Sequence, residues 1–168
     1  MNLEDLGNLG ELIAAIATLG TLIYLALQIK QNSESVRVTA GQAILSSLND
    51  ALQMASSSSQ AARVLVLGQT DFDKLPEDEK AQYLVWVFSW FRVLEQAHHY
   101  NKKGYLDDEV WEGHVEHMKL ILSMAHNIKW WESRKPFFSM SFREFVDQVT
   151  KTKSDVPPLR DLMNAISN

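Results

Sequence analysis

A chain of 168 residues and 19.1 kDa has room for one domain of ordinary size and an anchoring segment, but hardly for two independent domains. Its 46% hydrophobic and 22% charged residues, with five Trp and seven Phe, are those of a folded protein and exclude wholesale disorder. A net charge of -5 without any long basic run argues against nucleic acid as a partner, and zero Cys excludes a disulfide framework, a thiolate metal site and a Cys nucleophile.

The first element is the most apolar. Sixteen consecutive residues, Leu12 to Leu27, carry no charge, Asn, Gln or Pro. As a helix, Leu12 to Ile29 spans roughly 27 Å, close to the hydrocarbon thickness of a bilayer, and a buried soluble helix would normally show a polar stripe that this one lacks. The stretch is therefore read as a transmembrane helix rather than a buried or interfacial one. A cleaved signal peptide fits poorly, because Glu4, Asp5 and Glu11 stand where a basic n-region belongs. Lys30 and Arg37 follow the span, so the positive-inside rule places the C-terminal bulk in the cytoplasm. Gly10, Ala14, Ala17 and Thr21 share one helical face, small enough to admit a second backbone, and form a candidate oligomerisation face.

Beyond Lys30, Val38, Gly41, Leu45, Leu48, Leu52 and Ala55 repeat at three and four residues with no Pro, predicting one long helix from about Leu12 to about Ala55 whose lower part is an amphipathic stalk packed on the domain below. Ser56 to Ser59 ends it, and Ala61 to Leu67 makes a short helix stopped by Gly68. Pro76, followed by Glu77, Asp78 and Glu79, starts a core helix containing the run Tyr83 to Phe88, which ends at Lys102, Lys103 and a left-handed Gly104. Asp107 caps a helix to about Ala125, Asn127 caps a short one through Arg134, Ser139 or Ser141 starts another to about Lys151, and Val156, Pro157 and Pro158 begin a last one toward Ile166. No segment alternates with period two. The expected fold is all-α, with a transmembrane helix (residues 1–29 with its tail) continuing into an amphipathic helix and an irregular helical bundle (residues 30–168).

The stretches EDLGNLGELIAAIATLGTLIYLALQIKQNS, YNKKGYLDDEVWEGHVEH and IKWWESRKPFFSMSFREFVDQV together resemble a family of small bacterial single-pass membrane proteins with an all-helical C-terminal domain of unknown function. The residues that carry the likeness are the IYLALQIKQN exit, Phe91 and Glu95, Gly104, Asp107 and Trp111, and Trp130 and Trp131 ahead of Phe142, Phe145 and Asp147. The resemblance covers nearly the whole chain and implies the architecture above and a bacterial inner membrane. It brings no catalytic residues.

Two side-chain groups merit attention. If the helices around Gly104 to Asp107 form an antiparallel hairpin, residues 95 to 98 face 113 to 116, which brings Glu95, His98, His114 and His117 near one another, a donor set that suits zinc or iron. The cluster has one Glu-x-x-His pair where a di-iron site needs two, so no cofactor is the leading expectation and the metal the alternative. Lys129, Trp130, Trp131, Arg134, Phe137 and Phe138 mix cations with aromatics, as a membrane-interface or partner patch does, although core packing of the aromatics is the simpler reading. There is no Gly-rich phosphate loop and no GxSxG. The sequence thus predicts no enzyme. It points to an anchored protein acting through protein contacts, with the bilayer, a second copy and another membrane protein as partners; a homo-oligomeric pore and a histidine-based metal enzyme or sensor are the alternatives.

Overall fold

A computed structural model describes the chain from Leu3 to Ile166, with side chains from Gly7 on except at Ala55. There is no strand among the described residues. Helices α1 (Leu3–Ser56), α2 (Ser59–Thr70), α3 (Glu77–Lys102), α4 (Asp108–Leu122), α5 (Ala125–Arg134), α6 (Met140–Val149) and α7 (Leu159–Ile166) follow in order, with 3-10 turns at Phe72–Lys74 and Lys135–Phe137. The all-α architecture expected from the sequence is the one observed. The chain divides into two compact units, Met1–Thr39 and Ala40–Asn168. The division falls after residue 39 rather than 29, because residues 30–39 remain exposed and burial begins at Ala40.

The first unit is helix alone. It begins well ahead of Leu12, since Gly7 and Gly10 cost only about 1 kcal/mol each against alanine and nothing else there stops a helix. Leu12, Ile13, Ile16, Tyr24, Leu25 and Ile29, which lie on different sides of the helix, are each about half exposed or more. Among the described residues this is the one helix long and apolar enough to cross a membrane, by length and composition.

In the second unit the remaining part of α1 joins the core through Ala40, Ile44, Leu48 and Ala51. This corrects the expected packing stripe: Leu48 is shared, but Val38, Leu45 and Leu52 stay exposed, and the side chain of Ala55 lies outside the described residues. The packed row is the one that meets Trp86, whose indole N–H donates to the Ala51 carbonyl at 3.2 Å. The small Ala51 leaves its carbonyl within reach of the Trp86 ring of α3.

Ser58 caps α2, its hydroxyl accepting from the Ala61 N–H at 3.1 Å. Gly68 does not stop the helix; it lies inside α2, where a Cβ would fall 2.1 Å from the Tyr83 ring. Its smallness, not its flexibility, is what the fold uses. Arg63 of α2 pairs with the buried carboxylate of Glu79 on α3. Down α3, Tyr83, Val87, Phe91 and Leu94 are fully buried. Gly104 ends the helix as expected, at φ 69°, with the Gly104 N–H on Asn101 O and the Tyr105 N–H on Tyr100 O, the paired bonds of a Schellman motif. Asp107 accepts from the Glu109 N–H at 2.9 Å and so caps α4.

Helix α5 starts at Ala125 after Met124, so Asn127 is not its cap. Asn127 is instead fully buried, donating to the Ile121 carbonyl at 3.0 Å and to the Tyr83 hydroxyl at 3.1 Å. Trp131, Phe91, Phe138 and Phe142 then form the aromatic centre, with Trp131 centroids 5.4 Å from Phe91 and 5.3 Å from Phe138. The Trp131 N–H is satisfied by Asp147 at 2.9 Å, which fixes α6 against α5.

Candidate functional site

The expected hairpin forms, but its register differs from simple equidistance from the turn: His98 meets Trp111 rather than residue 113, and His117 meets Trp90 rather than residue 94, with centroids 5.8 and 4.6 Å apart. The histidines therefore alternate with tryptophans across the helix pair instead of facing one another. Among the described residues no group of three or more His, Asp or Glu side chains is placed to hold a metal ion. Glu95 turns elsewhere: its carboxylate accepts from the Ser139 N–H at 2.7 Å, at the start of α6, and pairs with Arg92. His98 packs among Trp111, Phe142 and Phe145. The proposed set of Glu95, His98, His114 and His117 is thus dispersed, because equidistance from a turn fixes neither which residues are level nor which way each side chain points round the helix.

The surroundings keep these imidazoles neutral. Burial lowers the pKa of His98, with Lys102 and His99 adding to the effect, and burial lowers those of His114 and His117. His126, which the hairpin argument did not include, is stacked on Phe72 at 4.3 Å and is lowered by burial too. The buried Nε2 atoms of His114 and His126 have no hydrogen-bond partner. Neutral histidines against aromatic rings serve packing, with a cost on protonation.

The aromatic patch is divided by the fold. Trp130, Trp131 and Phe138 are buried core residues, so only Lys129, Arg134 and Phe137 of the six remain at the surface, Phe137 being 65% exposed. The six-residue patch is therefore corrected to one exposed ring and two cations, and the apolar force of an interface patch is largely spent inside.

A hollow of about 190 Å³ lies between α2, α3 and the end of α1, lined mainly by Met54, Val64, Tyr83, Val85 and Trp86. Its walls are apolar, and the Tyr83 phenol beside it is pushed up to about 12 by burial, opposed by the Asn127 hydrogen bond. That phenol is no base at neutral pH.

On α1 the small-residue face is open: a Cβ at Gly10 would meet nothing within 4 Å, and Ala14, Ala17 and Thr21 are exposed. The hydroxyls of Thr18 and Thr21 donate to the carbonyls of Ala14 and Ala17 at 2.8 and 2.9 Å. With both hydroxyls turned onto their own helix, a pore lined by copies of this segment would be dry, which disfavours conduction. No family model matches the chain, and neither does a curated relative or a solved structure.

Proposed function

We propose that the chain is a membrane-anchored helical protein that acts through protein contacts, self-association first, and not through catalysis. One observation carries this reading: residues 12–29 of α1 are apolar on every side and covered on none. In water such a surface has no stable solution, whereas in hydrocarbon the same helix has its backbone bonds satisfied internally and its side chains in a matching solvent. The acidic residues before the span and Lys30 with Arg37 after it support a bundle on the cytoplasmic side of a bacterial inner membrane. The family resemblance points the same way.

Self-association is argued from Gly10, Ala14, Ala17 and Thr21, whose row lets two backbones approach where packing is the driving force. The full chain purified in mild detergent should run above its 19.1 kDa monomer mass in light scattering, and Ala14→Leu with Ala17→Leu should shift it toward monomer. A strict monomer that neither substitution changes would overturn self-association.

A further inference from the structure

The part of α1 that enters the bundle has a second, uncovered apolar row. Ala40, Ile44, Leu48 and Ala51 are its buried side, whereas Val38, Leu45 and Leu52 are 53%, 55% and 50% exposed. At 3.6 residues per turn the exposed row is centred roughly a third of a turn from the buried one, so the bundle that covers one leaves the other free. The three apolar residues recur every seven positions, with exposed Gln42 and Asn49 four residues after Val38 and Leu45. A seven-residue repeat drifts about 20° per heptad on a straight helix and is held on one side when the helix winds round a partner with the same repeat.

The row is uncharged. Within residues 38–52 the one charge, Asp50, lies about a third of a turn away from it. We infer that its occupant is a second copy of this chain, paired in parallel along residues 38–52; the inference rests on the anchored, self-associating reading above. Anchored copies insert in one direction and are therefore parallel, so each residue meets its own counterpart. An uncharged row meets itself without repulsion, and the amides of Gln42 and Asn49 each carry donor and acceptor, which makes them self-complementary. Carried back by sevens along the sequence, the register of Val38 falls on Gln31, Tyr24, Ala17 and Gly10, two of which belong to the small-residue face. One register thus serves both the aqueous and the apolar stretch.

Because the chain has no Cys, single substitutions give unambiguous cross-links. Leu45→Cys, Leu52→Cys, the off-row Ser46→Cys and Asp50→Cys, and Ala17→Cys in the span would each be oxidised in the full chain in native membranes. All four aqueous positions are exposed, so the core is left intact. Positions 45 and 52 should give disulfide dimers, since facing residues of a parallel pair come within disulfide reach, while 46 and 50 should not. Cross-linking at all four alike, or at 46 and 50 instead, would overturn the inference. Cross-linking at Ala17→Cys with none at 45 or 52 would overturn it while self-association stands; a strict monomer with no cross-link at any position would overturn both.

Discussion

Gly68 lies against the Tyr83 ring where α2 meets α3, and Gly68→Ala tests this contact: with a Cβ 2.1 Å from the ring, overpacking should cost about 1–3 kcal/mol, read as a lower melting temperature of the detergent-solubilised chain. An unchanged melt would show that the ring can move aside. Asn127→Ala should cost a similar ~1–3 kcal/mol, because it strips partners from a buried carbonyl and hydroxyl. The buried histidines set a pH dependence whose sign is definite. Their folded pKa values lie below the 6.5 of the unfolded chain, so protonation favours unfolding; their contribution is fully present above about pH 6.5 and is lost as pH falls through the lowered values. Melting temperature should fall between about pH 7 and 5, before carboxylates titrate, and His98→Phe should reduce the slope. A melt flat over that range would contradict neutral burial. These residues were only half legible in the sequence. Gly104 was readable because two lysines and Asp107 frame it as a helix stop and start. Gly68 and Asn127 were misread as punctuation, since glycine and asparagine serve both as breakers and as the small or hydrogen-bonding residue a close contact needs, and only a partner tells these apart.

Among the elements, α3 was legible from Pro76 to Gly104, its apolar run being too short for a membrane span and interrupted by Arg92, which favours a core helix. The lower part of α1 was not. Its sequence carries two apolar rows, and periodicity cannot rank them; the structure buries Ala40, Ile44, Leu48 and Ala51, with the Ala51 carbonyl taking the Trp86 N–H. The histidine cluster failed for a related reason: counting from the turn predicts a hairpin but fixes neither its register nor the rotation of each helix about its axis. The proposed orientation of α1 in a bilayer is argued from charges at its ends, and single cysteines can read it. In spheroplasts a membrane-impermeant maleimide should label Asn8→Cys and spare Glu112→Cys until the membrane is opened, both positions being exposed. The opposite pattern would reverse the proposed topology.

For the whole molecule, two units with different demands share one helix. The second buries its aromatics about α3 and pairs its buried carboxylate Glu79 with Arg63. The first leaves its apolar residues bare, as the proposed membrane span would. That contrast was visible in composition, since sixteen uncharged residues precede a chain of ordinary polarity; the face by which copies would meet was not, because it required knowing which side the bundle already covers. Alkaline carbonate extraction of membranes containing the full chain tests the anchoring claim most directly. The five Leu and four Ile of residues 12–29 together favour insertion by about 3–5 kcal/mol, and two central lysines would cost about 5–7 kcal/mol. The chain should therefore remain in the membrane pellet, and Ile16→Lys with Leu19→Lys should release it. Release of the unaltered chain into the supernatant would contradict the account.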